Sequence, residues 1–240
     1  MSGLPASLKN TYILIGGWKE NSLVDVLESV SFTLWTSHCN FKCPWCGNSK
    51  LARGLEARRV SIADIIGALE RNTDFIDYFH VTGGEPTLQP KPLRAMFQYI
   101  AKNLEVKNSL DTNGSNPRVI KRLARYLDHV AIDIKAPLSQ PNKYSMVIGL
   151  PLKAALEAIA KVKNCILFSC REVPFLELRT TVVPGMLDIR DVIEIAELGE
   201  YYRLVPHPQK VLYPIKISKE EAEYKLSLIH ISEPTRPRLI

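Results

Sequence analysis

"FIDYFHVTGGEPTLQPKPLRAMFQYIAKNLEVKNSLDTNG" (residues 75–114) contains one whole cycle of strand, turn, helix, strand and turn. Its first part, "FIDYFHV" (75–81), is short and rich in aromatic and β-branched residues. It reads as a strand that ends in the glycine turn "TGGEP". "PLRAMFQYIAKNL" then places Leu93, Met96, Phe97, Ile100 and Leu104 at helical spacing. "VKNSLDTNG" returns as a strand and runs out in a second polar turn. Parallel neighbours need a crossover connection and a helix fills it, so this cycle implies a parallel sheet.

The alternation continues in both directions. Upstream, "SVSFTLW" (29–35) is strand-like, and "SIADIIGALERN" (61–72) puts Ile62, Ile65, Ile66 and Leu69 on one helical face with Ser61 as N-cap. Downstream come "PRVIKRLARYL" with Pro117 in the first helical turn, the strand "HVAIDIKAP", and the helix "LKAALEAIAKV" with Leu152, Ala155, Leu156 and Ile159 aligned. "NCILFSC" (164–170) reads as a strand region burying Cys165 and Cys170. "LELRTTVVPG" (176–185) is a further strand, "DIRDVIEIAELG" a helix closed by Gly199, and "YYRLVPH" (201–207) a last strand, with a final helix opened by Ser218 and Glu221. Six strand-then-helix steps are too few to close an eight-stranded barrel. The fold class is α/β: a partial (βα)6 TIM-like barrel with an open parallel sheet, although the alternation alone also suits a doubly wound sheet. Residues 1–225 form this domain. The segment 226–240, "LSLIHISEPTRPRLI", is irregular and reads as foreign to it.

At 240 residues, 46 % hydrophobic and 23 % charged, the chain suits one globular domain and excludes a disordered one. No apolar run approaches the roughly 20 residues of a membrane span, and the N-terminus lacks a secretory pattern. Five cysteines, three of them crowded together, argue for thiolates kept reduced in a cytoplasm. The net charge of +6 is mild, and its one dense spot is "KLARGLEARR" (50–59). That run suits an acidic partner or RNA, but no aromatic stacking pattern accompanies it and it makes no case for nucleic acid.

The chemistry begins at "HCNFKCPWCGN" (38–48), where Cys39, Cys43 and Cys46 follow a C-x3-C-x2-C spacing. Three thiolates on one loop can hold three corners of a cubane iron–sulfur cluster and leave the fourth iron free. With His38 they can equally form a Cys3His zinc site. The glycine-rich and polar stretches "TGGEP", "DTNG", "IDIK" and "VVPG" all fall where strands end, which is the edge at which ligands gather in such sheets.

C-x3-C-x-aromatic-C, with Trp45 in the aromatic slot, followed by "GGEP", resembles the radical S-adenosylmethionine superfamily. The ordered set "LDTNG", "AIDIK" and "LRTTVVPG" is similar to that superfamily's glycyl-radical-enzyme activases, and "GGWKENSLVDV" with "VSFTLW" resembles those serving anaerobic ribonucleotide reductase. The resemblance implies a [4Fe-4S] cluster on Cys39, Cys43 and Cys46, with S-adenosylmethionine as the missing ligand of its fourth iron. It implies Trp45 against the adenine and Thr82, Gly83, Gly84 and Glu85 about the methionine amino group, where glycine lets the backbone come close. Asp111 and Asp133 would hold a monovalent cation beside the methionine carboxylate, with Lys135 near the ribose and Arg179 near the sulfonium. The reaction would be reductive cleavage of the sulfonium and abstraction of a glycine Cα hydrogen from a glycyl radical enzyme. The electron would come from a flavodoxin or ferredoxin. Activation of a pyruvate formate-lyase-like enzyme, or small-molecule chemistry as in the carboxy-deazaguanine synthases, are the other outcomes. "VPHPQ" departs from the activases' last strand, so His207 inherits no role.

Simpler readings stand beside these. His80 is a core histidine, His129 faces solvent at a strand start, Trp35 packs in the core, and Arg179 pairs with Glu177 or Asp133. His38 is either a supporting residue or plain loop.

Overall fold

The computed structural model describes residues 5–26 and 28–201. In chain order the elements are α1 (Ala6–Lys9), β1 (Tyr12–Ser22), β2 (Ser31–Thr36), α2 (Ser49–Ala52), β3 (Arg58–Ser61), α3 (Ile62–Glu70), β4 (Tyr78–Gly83) and α4 (Pro90–Asn103). They continue with β5 (Lys107–Thr112), α5 (Pro117–Leu123), β6 (His129–Asp133), α6 (Pro141–Ile148), α7 (Leu152–Glu172), β7 (Phe175–Arg179) and α8 (Ile189–Tyr201). One seven-stranded sheet has the order β3-β1-β2-β4-β5-β6-β7. From β2 to β7 every neighbouring pair is parallel, and β1 and β3 add an antiparallel edge beside β2.

The period of two along each strand separates two environments. Phe32, Leu34, Phe79, Val81, Leu110, Val130 and Ile132 are fully buried on the face that meets the helices. There Phe79 lies edge-on to Phe97 of α4, with ring centroids 6.0 Å apart. The alternate residues His80, Ser109 and His129 meet one another on the opposite, concave face. The helices seat themselves as their sequences require. Ser61 accepts from the Ala63 amide to cap α3, whose Ile62, Ile65, Ile66 and Leu69 are all buried. Gln89, before α4, bonds both the amide and the carbonyl of Leu14 at 2.8 Å and so ties that helix to β1.

The α/β class and open parallel sheet are as expected, with differences in detail. "NCILFSC" is the second half of α7, not a strand. Ala155, Ala158, Ile159, Val162, Cys165, Ile166 and Ser169 form one uninterrupted buried helical stripe, and no breaker precedes Val173. The aligned Leu152 and Leu156 lie outside that stripe and are exposed. Strand β7 stops at Arg179, so "VVPG" is not a strand end, and α8 continues past Gly199 to Tyr201. The hairpin of β1 with β2, the edge strand β3 and the helix α6 were not anticipated. The sixth step, "YYRLVPH" with the helix at Ser218 and Glu221, falls beyond Tyr201 and so lies outside the described residues, as does His207.

The turn after β4 is the tightest contact between neighbouring strands. Gly83 has φ +115°, and a Cβ on Gly84 would stand 2.1 Å from the carbonyl oxygen of His38. The backbone that approaches closely here is the protein's own. We expect Gly84→Ala to destabilise the fold by more than about 3 kcal/mol, read as a drop in the midpoint of chemical unfolding. A shift within 0.5 kcal/mol of zero, the ordinary surface range, would contradict the packing described here.

Candidate active site

The cysteine loop leaves β2 at its C-terminal end and is clasped from four sides. The Ser37 amide donates to Leu14, His38 to Leu51, Cys39 to Ala52 and Lys42 to Ile148, all within 2.9–3.1 Å. Trp45 donates its indole N–H to the Val147 carbonyl at 3.0 Å, which fixes the ring beside α6. Cys39, Cys43 and Cys46 are all half-buried. Burial pushes the Cys39 thiol up to about 12, and it raises that of Cys43 as well. Such thiols stay protonated unless a metal takes the proton's place.

The glycine turn reaches this loop through its backbone. Gly84 donates to Thr36 at 2.8 Å, and Glu85 donates to His38 at 2.7 Å. Thr82 is half-buried opposite Trp35, and its carbonyl accepts from the Thr36 hydroxyl at 3.0 Å. The Glu85 side chain has a different task from the one anticipated for it. It has no solvent exposure, and its carboxylate accepts from the Thr87 amide and hydroxyl, the Thr112 hydroxyl and the Asn113 amide. Burial raises its pKa, and those four donors pull the other way. Glu85 thus latches the turn after β4 to the turn after β5.

Asn113 carries the latch on to the cysteines. Its carboxamide N–H2 reaches Asn40 Oδ1 at 2.9 Å and Cys39 Sγ at 3.9 Å, while Asn40 donates to Ser115 at 2.8 Å. The Phe41 amide makes a second N–H···S contact to Cys39 at 3.4 Å. "DTNG" was read for its aspartate, but its asparagine is what touches the loop. The sign available beforehand was a carboxamide in a turn that shares a sheet edge with three thiols.

Below the loop, the concave face holds a closed ring of polar groups. His80 Nδ1 meets Ser109 Oγ at 2.8 Å, Ser109 meets His129 Nδ1 at 2.8 Å, and His129 Nε2 meets Glu177 at 3.2 Å. Arg179 donates to Glu177 at 3.0 Å, to both oxygens of Asp111 at 3.0 and 3.1 Å, and to the Asp25 carbonyl at 3.0 Å. His80 Nε2 lies 3.3 Å from Asp111 without making a hydrogen bond to it, so the ring is completed there by proximity alone. His80 is the core histidine expected. His129 is not the solvent-facing one expected, for it is fully buried and stacks on Phe175 with centroids 4.9 Å apart.

The cation that Asp111 and Asp133 both act on is the protein's own Arg179. Burial works against the Asp111 carboxylate, but the Arg179 guanidinium and His80 outweigh it and hold its pKa well below the usual carboxylate range. Asp133 bonds Lys135 at 2.7 Å. The protein's own cations therefore occupy the partners' places. Lys135 also sits 5.0 Å from the centre of the Trp45 ring, so this aromatic and this cation do share one corner of the site. Burial alone would lower the lysine's pKa, but Asp133 and the neighbouring thiols raise it.

Among the described residues, no three His, Cys, Asp or Glu side chains converge on one ion. His38 Nδ1 turns to the Ser37 hydroxyl at 3.0 Å instead of towards the thiols. A Cys3His zinc site needs that convergence, whereas a cubane gives each thiolate its own iron. Three half-buried thiols on one loop, with N–H donors on Cys39, fit such a cluster.

Residues 33–199 match the Radical SAM superfamily, and the chain belongs to it. A protein of Methanocaldococcus jannaschii, provisionally named a glycyl-radical enzyme activating enzyme, is 32 % identical over 191 residues, 77 % of this chain and 74 % of that one. A 7-carboxy-7-deazaguanine synthase of Thermococcus kodakarensis is 31 % identical over 198 residues, 69 % of this chain and 77 % of that one. Residues 198–230 match a second family, Ribosomal family S4e. There a small ribosomal subunit protein eS4 of Staphylothermus marinus is 61 % identical over 41 residues, 17 % of this chain and 16 % of that protein.

Two outcomes follow. Asn113→Ala removes the carboxamide beside Cys39 and should speed loss of iron to a chelator about 10-fold, measured at the cluster's visible absorbance; an unchanged rate would detach Asn113 from the site. The Glu177 carboxyl is buried, yet His129 and Arg179 hold it down from 4.5 to about 2. A depressed acid stabilises the fold above its unfolded pKa and ceases to as pH falls through the folded one. The span is worth about 3 kcal/mol. Glu177→Gln should therefore lose stability at pH 7 and show a shallower acid slope between pH 4.5 and 2, whereas an unchanged slope would dissolve the ring.

Proposed function

We propose that this radical SAM enzyme is a glycyl-radical-enzyme activase, and that its partner is the anaerobic ribonucleotide reductase. The observation that carries this reading is the similarity to the M. jannaschii activating enzyme, 32 % identical over 191 residues and 77 % of this chain. Cys39, Cys43 and Cys46 hold a [4Fe-4S] cluster, and S-adenosylmethionine completes it. When bound, these groups supply one-electron reductive cleavage of the sulfonium and a species able to take a hydrogen atom. The chain's own work is positional. Trp45, held by Val147, and Lys135, held by Asp133, offer a flat apolar face and a cation side by side, which suits a nucleoside. Thr82, Gly83 and Gly84 bring the backbone of β4 to the same edge.

Asp111 and Arg179 brace the floor beneath, and a monovalent cation would have to displace Arg179 or Lys135 to reach either aspartate. The latch at Glu85 keeps the three turns in register while solvent is excluded. A flavodoxin or ferredoxin would supply the electron. Reduced thiols suit a cytoplasmic, anaerobic setting, and among the described residues no helix is long and apolar enough to cross a membrane. The α/β domain is taken to span residues 1–225 with 226–240 as a tail, and the end of the radical SAM match at 199 supports an earlier boundary.

A second reading has support of its own. The charged ring on the concave face and the similarity to a 7-carboxy-7-deazaguanine synthase both favour a small polar substrate.

Anaerobic reconstitution with iron and sulfide, then reduction in the presence of S-adenosylmethionine, should release 5′-deoxyadenosine. Addition of the reductase should then give a doublet electron paramagnetic resonance signal on the reductase. Release without the doublet, together with formation of a 7-carboxy-7-deazaguanine product, would favour the second reading. No release from protein with a full cluster would end both.

A further inference from the structure

Reductive cleavage consumes one electron per turnover, and the described residues include no redox centre beyond the cysteine loop, so the electron has to arrive across the surface beside it. Resting on the radical reading above, we propose that the basic surface formed by residues 42–59 is the docking site for an acidic one-electron carrier protein. The balance is simple. The reduced carrier gives up one electron, the cluster held by the three cysteines accepts it, and the sulfonium bond consumes it on cleavage.

Charge selects the partner. Lys42, Lys50, Arg53 and Arg58 are all exposed, against a single carboxylate, Glu56, while Arg59, next in β3, points to the opposite face of the strand. Lys50 and Glu56 are 3.7 Å apart and both open to water, so that pair neutralises little. Leu55, between Arg53 and Arg58 in sequence, has 71 % of its surface exposed. An exposed apolar residue beside excess positive charge suits a brief electron-transfer encounter, where steering matters more than affinity.

Position selects the purpose. Helix α2 folds back onto the cysteine loop, with the Cys39 amide on the Ala52 carbonyl at 2.9 Å and His38 on Leu51 at 3.1 Å. Arg58 lies opposite Ile15, which in turn lies opposite Thr36 at the head of that loop. Two strand spacings, about 10 Å, therefore separate Arg58 from the strand end that carries the thiols. The sequence showed no aromatic company for this run, but the fold supplies it from β1. Arg58 sits 5.5 Å over Trp18 and Arg59 3.7 Å over Tyr12. Guanidiniums held on rings are presented to a partner with less ordering still to be done.

The test uses the reconstituted full chain, an acidic flavodoxin hydroquinone as donor, and cluster bleaching in a stopped-flow instrument. Light-driven reduction by neutral 5-deazariboflavin serves as the comparison. With flavodoxin, the wild-type rate should fall about 10-fold or more as salt rises, and Arg53→Glu/Arg58→Glu should slow the low-salt rate by about as much. The deazariboflavin rate of the variant should stay within two-fold of wild type. Arg122→Glu on α5, equally exposed, should change neither. Should reversal disturb the loop and slow both reductants, Arg53→Gln/Arg58→Gln is read by its flatter salt dependence. Unchanged flavodoxin rates in these variants overturn the proposal, and so does loss of RNA binding alone, which would give the surface to nucleic acid. Cluster bleaching does not depend on 5′-deoxyadenosine release, so failure of the docking site and failure of the radical reading are told apart.

Discussion

A carboxylate shut away from water is affordable only when donors surround it, and Glu85 is the point on which this site turns. Four hydrogen bonds converge on it from the turn it belongs to and from the turn after β5. Each is charge-assisted and worth about 1.5–3 kcal/mol, and losing the acceptor would strand buried donors as well. The backbone on either side of it is pinned to the end of β2, where only glycine fits at Gly84. Three chain segments far apart in sequence thus meet at one sheet edge, two joined by the Glu85 side chain and the third by the backbone beside it. The cysteine loop rests on that edge through Asn113, Asn40 and the His38 carbonyl.

The same logic governs the concave face. Parallel strands seldom carry charge without partners, and here every charge has one. Arg179 spans β5, β7 and the β1–β2 connection, so it joins the middle and the far edge of the parallel sheet to the hairpin. Breaking one member of such a set leaves a buried charge uncompensated, which costs far more than the set contributes. The floor of the barrel is therefore rigid, while the cysteine loop above it is partly open. A site that must admit a substrate to a reactive species benefits from that division: a fixed base, and access from the rim.

The sequence was legible where one periodicity dominates. The apolar stripe of α3 and α4 and the four parallel strands from "SVSFTLW" to "HVAIDIK" read correctly because local pattern and tertiary burial agree. The misses share a cause. "NCILFSC" looks like a strand in isolation, and only its phase with Ala155 and Ile159 makes it helix. His129 has the look of a polar strand start, yet Tyr78 and Phe175 from neighbouring strands enclose it. Glu85 and Asp111 were assigned to ligands because their partners, Thr112 and Arg179, come from other strands and no linear spacing announces them. The ribosomal S4e match covers residues 198–230, so it overlaps the irregular stretch from 226 only in part.

All of the chemistry depends on one iron left without a protein ligand. Mössbauer spectroscopy on protein reconstituted with ⁵⁷Fe, before and after S-adenosylmethionine is added, examines this most directly. One iron site of the cubane should shift towards higher coordination on addition while the other three stay as they were. A spectrum indifferent to the nucleotide, or a colourless protein carrying zinc on the three cysteines, would contradict the account.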